Sequence, residues 1–247
     1  MPESNCCEIR GLGKKFDLFD RPRDRVAHWL RAPWAEPKAH WAVRGVSLEV
    51  VPGAAVGLIG GNGAGKTTLL RLIAGALTPT EGEVRRRGSV FLVSGYGRGF
   101  HRALSGRENV DRLASLLRLP GDYSREHMHE IEEFAGLGEF FDRPVSTYSR
   151  GMTARLAFAL LSFHRPDVLL LDEALVAGDA EFAAKCETRL AALLSAGVGV
   201  VMATHSMAAV SQHCSVAALL HRGALVCTGP PAEVVPRYLQ GRREVAL

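Results

Sequence analysis

The chain has 247 residues, a formal net charge of +4 and 47% hydrophobic residues. That is enough apolar matter for a large core and excludes a disordered chain; the mild basicity, with arginines scattered among acids, calls for no nucleic-acid partner. The longest apolar runs, such as residues 156–163, fall short of the ~18–20 residues that cross a bilayer, and nothing near Met1 has the pattern of a signal peptide. The expected location is therefore the cytoplasm, with docking on a membrane left open. Five cysteines, Cys6, Cys7, Cys186, Cys214 and Cys227, give an odd count without CxxC spacing, so neither a disulfide framework nor a zinc site is expected.

Residues 7–16 are expected to form a first strand, and residues 46–50 a second one within 41–51, ended by Pro52-Gly53. The segment 17–40 between them is read as an insert. In it, residues 21–31 place Val26, Trp29 and Leu30 on one face of a short helix, with arginines around the rest and Pro33 as a stop. Two readings stay open: a basic amphipathic helix at a membrane interface or against a membrane partner, or a connector packed on its own domain.

The stretch Gly60-Gly61-Asn62-Gly63-Ala64-Gly65-Lys66-Thr67-Thr68 follows the apolar run 55–59 and precedes the helical pattern 69–74. Strand, glycine-rich loop and helix in this order form a phosphate cradle. The glycines let successive N–H groups converge on one anion. The helix N-terminus adds its dipole, Lys66 a full charge for the β- and γ-phosphates, and Thr67 a hydroxyl for Mg²⁺.

Beyond this helix come a turn at 78–83 and a strand at 89–94. Over 105–141 the pattern changes to helical periodicity, with Val110, Leu113, Leu116, Leu117, Ile131 and Phe134. This reads as a helical subdomain set into an α/β core. Helices at about 149–163 and 180–195 then alternate with strands at 167–171 and 199–203, and strands near 216–220 and 224–227 close a mostly parallel sheet. The tail beyond Tyr238 is short and charged, so no second folded domain is expected.

Ligands of parallel sheets bind beyond the carboxyl ends of the strands. Asp172 ends the strand 167–171, at the position of an acid that holds Mg²⁺, and Glu173 follows it as the expected general base. His205 closes the strand 199–203, where its ring can meet a γ-phosphate and an attacking water. The other histidines, His40 among them, are read as structural or solvated, and His127 and His129 face different sides of a helix. Tyr148-Ser149-Arg150-Gly151-Met152 opens another helix and makes a second anion site.

The order of these motifs resembles the nucleotide-binding subunit of ABC transporters, over nearly the whole chain. The stretches Gly99-Phe100-His101, Leu104 to Val110, Thr147 to Met152 and Asp172 to Ala180 look like its polysaccharide-export branch, which carries O-antigen, capsule or teichoic acid chains. The resemblance implies an α/β P-loop NTPase fold of ABC type: a mostly parallel core with an antiparallel β portion and an inserted α-helical subdomain. The whole of 1–247 would be one nucleotide-binding domain, with its ATPase core at about 1–104 and 149–247 and its helical subdomain at about 105–148. It implies ATP and Mg²⁺ as cofactors. ATP would be held by Gly60, Asn62, Gly63, Ala64, Gly65, Lys66, Thr67 and Thr68, by Phe16 stacking on the base, and by Ser149, Arg150, Gly151, Met152 and Asp179. Mg²⁺ would be held by Thr67 and Asp172.

The implied partners are a second copy of the chain, in a head-to-tail dimer closed on two ATPs, and an integral membrane permease subunit. That places the protein peripherally on the cytoplasmic face of the inner membrane. The implied function is ATP-driven export of a lipid-linked polysaccharide, without the C-terminal carbohydrate-binding domain that many relatives carry. A soluble ABC ATPase of DNA repair or translation, or a nucleotide-dependent switch without transport, is the alternative. The sequence departs from the family pattern in two places. Arg150 and Met152 replace residues of the usual LSGGQ signature, and the only glutamines, Gln212 and Gln240, both follow His205. The loop glutamine that contacts Mg²⁺ is therefore missing, and Ser94 or a water is expected in its place.

Overall fold

The computed structural model describes residues 5–19, 21–30, 37–94, 99–117, 119, 122–172 and 180–244. Its longest ladder joins β1 (Cys7–Leu18), which leads to the short helix α1 (Pro22–Trp29), to β2 (Lys38–Val50). The two strands run antiparallel from Cys7↔Val50 to Leu18↔Lys38. The ladder thus enters the segment expected to be an insert: β1 continues past Phe16, and β2 begins at Lys38, ahead of Trp41. Asp17 and Leu18 gain ladder partners in Ala39 and Lys38.

Three register shifts interrupt this ribbon. The first two set extra residues at Arg10-Gly11 and Arg44-Gly45, where Gly11 (φ 54°) and Gly45 (φ 63°) take the left-handed conformation of a bulge. The third lies between Lys14↔Val43 and Lys15↔Trp41, which leaves Ala42 as the unpaired residue on β2.

The strand β3 (Ala55–Ile59) is buried throughout and leads to α2 (Lys66–Ile73). Next come β4 (Glu81–Arg86), which pairs with β1, and β5 (Val90–Ser94). The helical section holds α3 (Gly106–Leu116) and α4 (Tyr123–Ala135), followed by two short 3₁₀ turns and α5 (Arg150–Phe163). After them, β6 (Val168–Asp172), α6 (Ala180–Ser195), β7 (Gly199–Ala203), α7 (Met207–His213), β8 (Val216–His221), β9 (Ala224–Gly229) and α8 (Pro231–Glu244) complete the order.

Two sheets result. One has the order β2-β1-β4, the other β5-β6-β7-β3-β8-β9. In the larger sheet only the β8–β9 pair is antiparallel. Its central strands are continuous apolar runs, as strands covered on both faces must be. One core fills the face toward α3, α4, α5 and α6; the other lies between this sheet, α2 and the β1–β2 ribbon.

The helical section is anchored by polar groups. Ser105 and Glu108 form a reciprocal cap on α3, with Ser105 N–H donating to Glu108 Oε2 at 2.8 Å and Glu108 N–H to Ser105 Oγ at 3.2 Å. Asn109 is fully buried. It accepts from His101 N–H at 2.7 Å, and its amide faces the carbonyls of His101, Leu104 and Ser105 at 2.8–3.1 Å. Tyr123 OH donates to Leu160 O at 2.6 Å, tying α4 to α5.

Candidate functional site

The carboxyl ends of β3, β6 and β7 lie on one side of the larger sheet, because the three strands are parallel neighbours in the order β6-β7-β3. Ile59 ends β3, and the chain turns through 60–65 into α2. Gly60 (φ 154°), Gly63 (φ 73°) and Gly65 (φ 103°) have positive φ, as expected of a loop whose N–H groups turn inward. A Cβ on Gly65 would overlap the carbonyl oxygen of Ala42, and one on Gly60 that of Leu220. Gly61 differs from the expectation. It has no positive φ, and a Cβ there meets nothing within 4 Å.

The helix α2 begins at Gly65 with no side-chain cap and no acid in its first turn, so its positive end is left to an external anion. Lys66, only 7% exposed, donates from Nζ to the carbonyls of Gly60 at 2.8 Å and Gly61 at 3.1 Å. Thr67 Oγ1 donates to Asp172 Oδ1 at 3.1 Å. A loop hydroxyl and a carboxylate from β6, two strands away, are thus brought together. Among the described residues no three His, Cys, Asp or Glu gather as a metal cluster. Two hard oxygens are the sparse set that Mg²⁺ accepts when phosphate and water complete its octahedron, so the residues present fit that ion.

A cleft of about 350 Å³ opens over the loop, lined by Asn62 to Thr68, His205, His40 and Ala42. His205, exposed, stands just beyond β7, behind the buried Thr204, whose hydroxyl accepts from Ser206 N–H at 3.0 Å. His40, read as structural or solvated, is exposed and also borders the cleft. No sequence signal placed it there, since Lys38 and Ala39 carry no alternating pattern that extends the strand upstream of Trp41. Ala42 had no signal, since it reaches the loop only because the third register shift turns it out of the ladder.

Phe16 is half-buried and pairs with His40 across the ribbon. Residues opposite one another in an antiparallel pair share a face, so Phe16 stands beside the cleft wall, with Lys14 Nζ 5.5 Å from its ring centre.

Ser149 caps α5, accepting from Met152 N–H at 3.2 Å. Ser149 and Arg150 are exposed, Gly151 and Met152 half-buried, and none of the four lines the cleft over the phosphate loop. Glu173 and Asp179 lie outside the described residues, as does the side chain of Ser94, whose backbone pairs with that of Asp172. All five cysteines are free. Burial raises the Cys6 thiol and pushes Cys7 up to about 11 and both Cys186 and Cys214 up to about 12.

Solved structures share this architecture. An ATP-binding subunit of an ABC transporter matches with a TM-score of 0.76 at 18% identity, covering 94% of this chain and 93% of that one. The dimeric ATP-binding cassette MJ0796 bound to ADP and Pi matches at 0.75 and 21%, covering 91% and 98%. At such identities the likeness carries the fold alone.

Curated relatives are closer in sequence. The ABC transporter protein AbcA of Aeromonas salmonicida is 38% identical over 230 residues, covering 93% of this chain and 74% of the relative. The O-antigen export system ATP-binding protein RfbB of Klebsiella pneumoniae is 38% identical over 219 residues, covering 88% and 89%. The teichoic acids export ATP-binding protein TagH of Lactococcus lactis is 34% identical over 229 residues, covering 92% and 49%. The chain spans about half the length of this last relative and of the RfbB of Myxococcus xanthus. A family model described as ABC transporter matches residues 43–176, from β2 through the phosphate loop, the helical section and Asp172, and on this evidence the chain belongs to the ABC transporter family.

Proposed function

We propose that the chain is the ATP-binding and ATP-hydrolysing subunit of an exporter that moves a lipid-linked polysaccharide across the cytoplasmic membrane. The observation that carries the ATPase reading is the convergence of Lys66, the Thr67–Asp172 pair and His205 around one cleft at the strand ends. When ATP enters, its phosphate oxygens replace the carbonyls of Gly60 and Gly61 as partners of the Lys66 ammonium, a stronger charge-assisted pairing. The loop N–H groups and the start of α2 hold the β-phosphate. Thr67 and Asp172 hold Mg²⁺, which supplies charge neutralisation of the phosphates when bound. Phe16, beside His40, offers its ring to the base.

Glu173, next in the chain after Asp172, takes the role of general base for the attacking water, and His205 orients the γ-phosphate. Ser149 and Gly151 complete the cleft of a second copy, with Arg150, Met152 and Asp179 near them. Two ATPs are then enclosed head to tail by two chains. The exposure of Ser149 and Arg150 outside their own chain's cleft supports this role. The ATPase core comprises 1–104 and 149–247, and the helical subdomain 105–148 passes movement to a membrane-spanning permease.

Among the described residues, no helix is long and apolar enough to cross a membrane. The translocation path is accordingly assigned to the permease, with this chain peripheral on the cytoplasmic face of the inner membrane. The polysaccharide cargo is supported by the O-antigen and teichoic acid export systems for which the relatives are named.

Glu173→Gln is expected to lower ATP turnover about 10²-fold or more and to accumulate an ATP-bound dimer on gel filtration; turnover at the wild-type rate would sink the base assignment. Depletion in the native cell is expected to leave a lipid-linked glycan in the cytoplasm, whose identity names the cargo. Purification without any integral membrane partner would instead favour a nucleotide switch that transports nothing.

A further inference from the structure

The β1–β2 ribbon ends in a tip that the nucleotide site does not use and that precedes the part of the chain matched by the family model, residues 43–176. At this tip Leu18 is 51% exposed, Trp29 81% and Leu30 67%. So large an indole left in water is unfavourable, and all three exposed side chains lie at or within the connection between β1 and β2. Arg21, Arg23 and Arg25 are exposed around them. The one acid in α1, Asp24, is engaged locally: it accepts from Arg21 N–H at 3.1 Å and lies 3.9 Å from Arg23 Nε. The tip therefore presents both exposed apolar side chains and exposed positive charge. A ladder of twelve residues in β1, at ~3.4 Å per residue, gives it a reach of about 40 Å along the ribbon.

We propose that this tip docks on a bilayer surface carrying anionic phospholipid. The chemistry matches on both counts. An indole and leucines enter the boundary between headgroups and acyl chains, where tryptophan is favoured. The exposed arginines meet lipid phosphates, each strengthening attachment about fivefold near such a surface. A protein surface able to receive the same tip would need an apolar pocket ringed by acids, whereas an anionic bilayer presents both features without a matched shape.

The test is flotation of the full chain with vesicles of phosphatidylcholine alone, or of phosphatidylcholine with about one-third phosphatidylglycerol, at low and high salt, with basal ATPase measured on every variant. Binding to the anionic vesicles is expected to exceed that to neutral ones at least tenfold and to fall toward the neutral level at ~0.5 M salt, where screening is short-ranged. Trp29→Ala with Leu30→Ala is expected to remove the binding, and Arg21→Gln, Arg23→Gln and Arg25→Gln together to cut it about a hundredfold, both with ATPase within twofold of wild type. Equal binding to both vesicles, or variants that float like wild type, overturns the proposal. So does an absence of vesicle binding, which would leave the tip to a protein partner. Loss of basal ATPase together with lipid binding would assign the tip to the integrity of the nucleotide site and equally overturn it, whereas loss of ATPase in Glu173→Gln with lipid binding intact leaves it standing.

Discussion

Gly61 and Gly65 look equivalent in the sequence, both being glycines of one phosphate loop, and the structure separates them. Gly65→Ala must force a side chain into a backbone at φ 103° and into the Ala42 carbonyl. The expected result is a stability loss of about 2–3 kcal/mol in thermal melts and nucleotide binding weakened beyond detection by fluorescence titration. Gly61→Ala, with open space and no positive φ, is expected to keep affinity within about threefold, the range of an uncrowded surface change. The motif named the loop, but which glycines are irreplaceable depends on neighbours from β2 and β8 that no local pattern reveals. The thiols follow the same logic of surroundings. Burial holds Cys6, Cys7, Cys186 and Cys214 protonated, with the Cys186 and Cys214 thiols pushed up to about 12, while Cys227 on β9 is half-exposed. Iodoacetamide at neutral pH is therefore expected to label Cys227 in the native protein and the other four only after denaturation, as read by peptide mass.

At the scale of elements, the buried strands β3, β6 and β7 were legible as apolar runs, and α3 and α4 as helical periodicity. The ends of the β1–β2 ribbon were not. Asp17, Leu18, Lys38 and Ala39 carry no alternating pattern and are exposed; their strand conformation comes from the partner across the ladder, a tertiary cause. The polar anchors were also hidden. Asn109 sits among residues that read as a helix start, yet its buried amide serves one N–H and three carbonyls of the preceding loop. Asn109→Ala strands those groups without a partner and is expected to cost about 2–3 kcal/mol in urea unfolding. Tyr123→Phe, which removes only the hydroxyl bonded to Leu160 O, is expected to cost about 1–2 kcal/mol and leave the helix content unchanged by circular dichroism.

For the whole molecule, the decisive fact is that, among the described residues, Ser149 does not line the cleft over the phosphate loop of its own chain. If two copies complete each other, Lys66→Ala and Ser149→Arg each disable both sites of their own dimer, but a mixed dimer retains one intact site. Mixing the two inactive variants is then expected to restore roughly a quarter of wild-type ATPase, by the statistics of a two-fold assembly, and no recovery would count against the head-to-tail arrangement. This composite character is an expectation that the family resemblance supplies; the physical link between the ribbon and the loop was not legible in the sequence. Ala42, turned out of the ladder by a register shift, presses its carbonyl under both Gly65 and Gly223, and Arg44 N–H donates to Gly223 O at 2.8 Å. The ribbon thus reaches from Leu18 and Lys38 at its far end to Ala42, packed against the phosphate loop. A load on the far end is therefore expected to reach the loop along the same strand that carries Ala42, which turns the ribbon from a spacer into a route for force.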